Sequence, residues 1–190
     1  MSGNQTVLVA EDEESLRRLY KTWLESEGFN VLTAENGQEA HEVWDENIDA
    51  VLLDRRMPEK YGDEVLEEGR DKGLDTPVSM ITAVDPDLEI SQMGFDDYVV
   101  KPTEKDEIIE TVNDLVSTNQ IRQTVREFAR TGVKINKLQK EHPQSMLKTH
   151  AEYQKLQKAY TDLQTEVKDM ADELNEYEKE LLIEARQRAN

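Results

Sequence analysis

The sequence predicts an α/β domain built on a five-stranded parallel sheet, followed by an all-helical arm. Over residues 1–116, short apolar, β-prone runs alternate with helical patterns. Such alternation implies right-handed βαβ crossovers and a parallel sheet. Two of the runs, V-L-V-A-E-D-E ending at Glu13 and V-L-L-D-R-R-M-P ending at Pro58, are apolar until they stop abruptly on carboxylates. A continuous apolar run belongs to a strand buried on both faces, as in sheets with helices on either side. After Asn119, Gly and Pro almost vanish and apolar residues fall at helical spacing.

In order, residues 6–10 read as a strand and 14–27 as a helix ended by Gly28, the residue type that most often closes a helix. Residues 29–33 are strand-like, 38–45 helical, and 48–53 a buried strand. Residues 57–62 form a loop in which Met57-Pro58 shapes the turn, and 63–72 form a helix. Residues 77–82 read as a strand, 87–93 as a short helix at best, 98–100 as a short strand, and 105–116 as a helix. The domain boundary falls between 117 and 118.

The arm, 118–190, carries two seams. Ile121, Val125, Phe128, Gly132, Ile135 and Leu138 are spaced by 3 or 4, until His142-Pro143 interrupts the pattern. A second seam runs through Met146, Thr149, Tyr153, Leu156, Tyr160, Leu163, Val167, Met170, Leu174, Tyr177 and Leu181. Its steps alternate strictly between 3 and 4, the heptad pattern of a supercoiling helix. The helices are unequal, about 22 and 45 residues, or roughly 33 and 65 Å at 1.5 Å per residue. An intrachain hairpin would leave about half of the longer seam uncovered, so a homodimer through the arm is expected.

Composition narrows the class. Only 36% of the 190 residues are hydrophobic, so a sizeable core fits part of the chain. Cysteine is absent, which removes disulfides and thiolate metal sites. Residues 1–5 are polar and no apolar run approaches a membrane span, making a cytoplasmic location the default. The net charge is −19, and it is lopsided: 10 Lys/Arg face 30 Asp/Glu in residues 1–118, against 13 and 12 in 119–190. The acidic part should repel nucleic acid. It suits either a protein adapted to high salt or an ordinary acidic cytosolic domain.

In a parallel sheet the carboxyl ends of neighbouring strands form the ligand crevice. If the two acid-ended runs are neighbours, Glu11, Asp12 and Asp54 converge. Three carboxylates that close cannot all stay ionised without a counter-charge, and a hard divalent cation such as Mg²⁺ is the natural remedy.

Four motifs in order carry a family resemblance: Glu11-Asp12, D-x-x-M-P from Asp54 to Pro58, I-T-A from Ile81 to Ala83, and D-D-Y-V-V-K-P from Asp96 to Pro102. Together they resemble a two-component response regulator receiver domain. That resemblance implies a flavodoxin-like sheet of order 2-1-3-4-5. It implies that Asp54 is the phosphoacceptor, receiving its phosphoryl group from a sensor histidine kinase. Asp12 and Asp54 would ligate Mg²⁺ directly, Glu11 through a water, and the Arg56 carbonyl would add an oxygen. Thr82 would hydrogen-bond a phosphoryl oxygen and Lys101 would neutralise phosphoryl charge, with Lys101-Pro102 a candidate cis peptide. Tyr98 would be the aromatic switch. Turnover on an external substrate is not expected of such a domain. The competing enzyme reading is a phosphoaspartate hydrolase on a related fold, but such enzymes carry a second acid where this chain has Arg56.

Glu11 replaces the more frequent aspartate, and the segment from Thr82 to Lys101 is about one helical turn shorter than is usual and contains Pro86. A short or frayed fourth helix is therefore expected, which favours the arm as dimerising element. The receiver-plus-arm arrangement resembles haloarchaeal regulators carrying a HalX-type domain. Arg122, Arg126, Arg130, Lys134, Lys137 and Lys140 make the first arm helix basic, with Glu127 the acid among them. The ridge reads either as a nucleic-acid phosphate site or as a partner for acidic residues elsewhere in the chain, the latter favoured. His142 and His150 raise a histidine phosphotransfer reading, disfavoured because it requires an exposed His on a four-helix bundle.

Overall fold

The computed structural model describes residues 5–84 and 93–170. Five strands form one parallel sheet: β1 (Thr6–Ala10), β2 (Asn30–Ala34), β3 (Ala50–Leu53), β4 (Val78–Thr82) and β5 (Asp97–Val100). Their order is β2-β1-β3-β4-β5, so the two acid-ended strands are neighbours, with Ala10 opposite Leu53. The side-chain period of two splits the apolar strands between two cores. Val7, Val9, Ala50 and Leu52 meet Tyr20 and Leu24 of α1 (Glu14–Ser26) together with Ile108, Val112, Leu115 and Val116 of α4 (Lys105–Glu141). Leu8, Ala10, Val51 and Leu53 meet Ala40 of α2 (Gly37–Val43), Trp44 beyond it, and Val65 and Leu66 of α3 (Gly62–Asp71). Both faces are covered, which is why these strands read as unbroken apolar runs.

Local signals acted as expected at several ends. Gly28 has φ 95° and closes α1, with its N–H donating to Glu25 and that of Phe29 to Leu24. Asn36 caps α2 by accepting from the Glu39 N–H at 2.8 Å. Met57 is buried in the second core, and the Pro58 carbonyl accepts from Gly37 and Lys60, so the Met-Pro turn is structural. The short helix expected over 87–93 lies almost wholly outside the described residues.

The chain divides into two compact units, Met1–Asn119 and Gln120–Asn190. Two expectations about the helices need correction. First, the helix read as ending at Val116 continues without interruption to Glu141 as part of α4. Residues 117–120 (Ser-Thr-Asn-Gln) contain no Gly or Pro, so nothing in the backbone stops it. Second, the long second arm helix is broken near its start into α5 (Gln144–Leu147) and α6 (Ala151–Asp169). The N–H groups of Thr149 and His150 bond three residues back, and the Thr149 hydroxyl donates to Met146 O at 2.9 Å. That local bonding competes with the helical ladder and tightens the turn. As a result Leu147 is buried, while Met146, at the head of the predicted seam, is 54% exposed.

From Tyr153 to Met170 the seam behaves as predicted. Tyr153 and Val167 are buried, and Leu156, Tyr160, Leu163 and Met170 half-buried, between exposed neighbours. Within the arm unit, Ile121, Val125 and Phe128 of α4 form one cluster with Val167, Tyr160, Leu163 and Met170 of α6. Phe128 and Tyr160 stack with ring centroids 4.9 Å apart. The arm is thus an intrachain hairpin along this stretch. Leu174, Tyr177 and Leu181 lie outside the described residues.

Candidate phosphoacceptor and metal site

The site forms where β1 and β3 end side by side. The Asp54 N–H donates to Ala10 O at 2.9 Å, which continues the β1–β3 ladder one step and aims Asp54 at the acids that follow β1. Carboxylate oxygens of Glu11, Asp12 and Asp54 all lie within 4.8 Å of one another. Glu11 and Asp54 are buried and Asp12 is exposed, so the cluster opens to solvent on one side.

Lys101 supplies the counter-charge. Its Nζ donates to Glu11 Oε2 and to Asp54 Oδ2, both at 2.6 Å. Lys101 follows β5, and its N–H donates to Thr82 O at 2.9 Å, tying it to the end of β4. The Lys101-Pro102 peptide bond is cis. Burial is the largest influence on Glu11 and pushes its carboxyl above the ordinary range, against the pull of the Lys101 ammonium. Burial alone would lower Lys101, but its bonds and charge attraction to Asp54 and Glu11 outweigh that and raise it. One ammonium thus faces a cluster of three carboxyl groups. Three carboxyl oxygen donors with an open side fit a hard divalent cation.

The second Asp54 oxygen, Oδ1, accepts from the Arg56 N–H at 3.1 Å, while the Arg56 side chain is exposed. Thr82 is almost fully buried, and its hydroxyl accepts from the Val84 N–H at 3.3 Å. Tyr98 is half-buried beside Phe95, and its hydroxyl donates to Val84 O at 2.8 Å. Among the described residues, neither Thr82 nor Tyr98 hydrogen-bonds to the acid cluster.

Three contributors were not anticipated. Arg17, on α1, donates from one guanidinium nitrogen to the carbonyls of Glu11 at 2.6 Å and Asp12 at 3.1 Å, clamping the loop that carries both acids. A helical arginine so placed looks like any solvated charge in sequence. Gly62 sits where an added Cβ would overlap the Asp54 carbonyl oxygen. Its place in the loop after the D-x-x-M-P motif was the available signal. Arg55 pairs with Asp63 at 3.0 Å and braces the same loop.

Comparison with known proteins agrees with this geometry. The response regulator receiver domain family matches residues 7–113, and the HalX domain family matches 118–182. A candidate transcriptional regulator of Haloferax volcanii is 47% identical over 127 residues, 67% of this chain and 22% of that protein. The transcriptional regulatory protein SrrA of Staphylococcus aureus is 37% identical over 118 residues, 60% of this chain and 48% of that protein. The chain therefore spans about a fifth to about half of these curated relatives. Among solved structures, a Francisella response regulator receiver domain is 32% identical with a TM-score of 0.55, covering 60% of this chain and 98% of that one. Thermotoga maritima TrrA, solved in complex with Mg²⁺-BeF, is 38% identical with a TM-score of 0.52, covering 58% and 98%.

Proposed function

This chain belongs to the response regulator receiver domain family, with a HalX domain after the receiver, and from that premise we propose that Asp54 is a reversible phosphoacceptor. The observation that carries the reading is the Asp54 carboxylate. It is buried at a strand end, one oxygen is held by the Lys101 ammonium and the other by a main-chain N–H, and two further acids lie beside it. In the transfer, an Asp54 oxygen bonds to phosphorus while the phosphorus–nitrogen bond of a sensor kinase phosphohistidine breaks. The leaving imidazole nitrogen keeps that electron pair and takes up a proton.

Glu11, Asp12, Asp54 and the Arg56 carbonyl would hold Mg²⁺, which when bound supplies positive charge to the phosphoryl oxygens. The chain's own groups do the rest. Lys101 exchanges its bond to Asp54 for one to the transferred group, compensating the added charge without moving its backbone anchor on Thr82. The Thr82 hydroxyl leaves the Val84 N–H to donate to a phosphoryl oxygen. Because Tyr98 also rests on the main chain of Val84, that rearrangement reaches the aromatic ring and alters the surface beside β5. The chain is read as a switch without turnover on external substrates, since Arg56 stands where a hydrolase would place its acid.

Signalling then passes to the arm, which we read as the dimerising element in a cytoplasmic transcriptional regulator. The heptad seam continues past Met170 in sequence, and the two curated relatives are regulators of transcription. No described helix is long and apolar enough to cross a membrane.

The test is incubation with acetyl phosphate, with and without Mg²⁺, followed by intact mass. One added phosphoryl group that requires Mg²⁺ and disappears in Asp54→Asn supports the reading. Repeated turnover of phosphate esters would instead support a hydrolase. Sedimentation of the full chain at tens of micromolar as a monomer would remove the dimer.

A further inference from the structure

We propose that the outward face of α4 in the arm is a docking surface for the phosphate backbone of double-stranded nucleic acid, engaged without regard to base sequence. The proposal rests on the arm alone and is independent of phosphoacceptor chemistry. At 100° per residue, Arg126, Arg130, Lys134, Lys137 and Lys140 fall within about 120° of arc and extend over about 21 Å of helix. Ile121, Val125 and Phe128, which pack against α6, fall on the opposite side. Among the described residues, Arg130, Lys134, Lys137 and Lys140 therefore do not pair with the acids of α6, whereas the reading favoured from sequence pairs the ridge with the second arm helix or with the receiver.

Four of the five are exposed: Arg130, Lys134, Lys137 and Lys140. Among the described residues none of these four forms an ion pair, whereas Lys155 on α6 pairs with Glu152. Four solvated cations left in a row, in a chain of net charge −19, make a localised basic strip.

The composition of the strip favours a polyanion over a folded acidic protein. Protein interfaces are built around a desolvated core depleted in lysine. Here the apolar side chain on the face is Val133, 45% exposed, and nothing surrounds it to make a core. Phosphate-backbone binding needs no such core, because its free energy comes from releasing condensed counterions as each phosphate meets a cation. The face carries no aromatic residue and no Asn or Gln among its cations, so base readout is not part of the proposal.

The experiment is fluorescence anisotropy of a labelled DNA duplex of arbitrary sequence, titrated with the full chain over a series of KCl concentrations. Poly-glutamate of similar length is the competing probe. The expected result is binding that weakens linearly on a log–log plot of affinity against salt. In K134Q/K137Q/K140Q the magnitude of that slope should fall by about 2–3, at roughly 0.9 for each phosphate no longer neutralised. These side chains are exposed, so the variant should keep the wild-type helical circular dichroism and melting temperature. Lys168→Gln on α6 should bind as wild type. Absence of DNA binding at about 50 mM KCl, where phosphate–cation attraction is strong, would overturn the proposal. So would an equally weakened Lys168→Gln, an unchanged slope in the triple variant, or tighter binding to poly-glutamate than to DNA.

Discussion

Arg17 shows how a residue outside the carboxylate cluster can govern it. One guanidinium nitrogen binds the carbonyls of Glu11 and Asp12 and another lies 3.6 Å from the Glu35 carboxylate, so Arg17 touches none of the three clustered carboxylates and instead fixes the peptide units from which Glu11 and Asp12 project. Outer groups that orient ligands typically contribute tenfold or more to metal affinity. Arg17→Ala is therefore expected to weaken Mg²⁺ binding about tenfold by calorimetric titration. An unchanged affinity would reduce Arg17 to a surface residue. Gly62 poses a packing question. Gly62→Ala forces a methyl against the Asp54 carbonyl and should cost about 1–3 kcal/mol in urea unfolding, the usual range for overpacking.

Pairs of elements are joined by bonds that can be titrated or cut. Glu68 on α3 receives Lys60 Nζ at 2.6 Å and lies 2.6 Å from His41 Nδ1 of α2. The hydrogen bond from Lys60 is the main reason the Glu68 carboxyl is held below its ordinary value of 4.5. A depressed carboxyl stabilises the fold above the unfolded value and loses that contribution as pH falls through the folded one. The stability difference between wild type and Glu68→Gln should thus be present at neutral pH and shrink below about pH 4.5, followed by denaturant melts at each pH. In the arm, Phe128 is 2% exposed and stacked on Tyr160, and it anchors the hairpin. Phe128→Ala should cost about 3–5 kcal/mol, read from loss of helical circular dichroism in urea. A cost near zero would mean that another surface covers this seam.

Charge acts on the molecule as a whole. The excess of acids lies in residues 1–118, where 30 Asp/Glu face 10 Lys/Arg. Repulsion among them destabilises the compact state, and salt relieves it as the Debye length shrinks from about 10 Å at 0.1 M to about 3 Å at 1 M. The melting temperature of the full chain is therefore expected to rise between those KCl concentrations. A flat response would mark an ordinary acidic protein without adaptation to salt. Salt also bears on the basic strip of α4, but in the opposite sense, since screening weakens its attraction for phosphates. Stability and nucleic-acid affinity should thus move apart as KCl increases.

Periodicity and strand-end chemistry were sufficient for a parallel sheet covered on both faces and for the convergence of Glu11, Asp12 and Asp54 if their strands are neighbours, because buried parallel strands leave an unbroken apolar signature and end in their functional groups. The strand order and the place of Lys101 came from the family resemblance. The seam from Tyr153 to Met170 was equally legible, since a heptad repeat is local. Tertiary structure alone decided that α4 runs on past Asn119, that Thr149 tightens a turn, that Arg17 reaches back to the acid pair, and which way the lysines of α4 face. These outcomes depend on which partner a side chain or N–H group finds after folding, and identical residues at identical spacing can be satisfied in more than one way until the packing chooses.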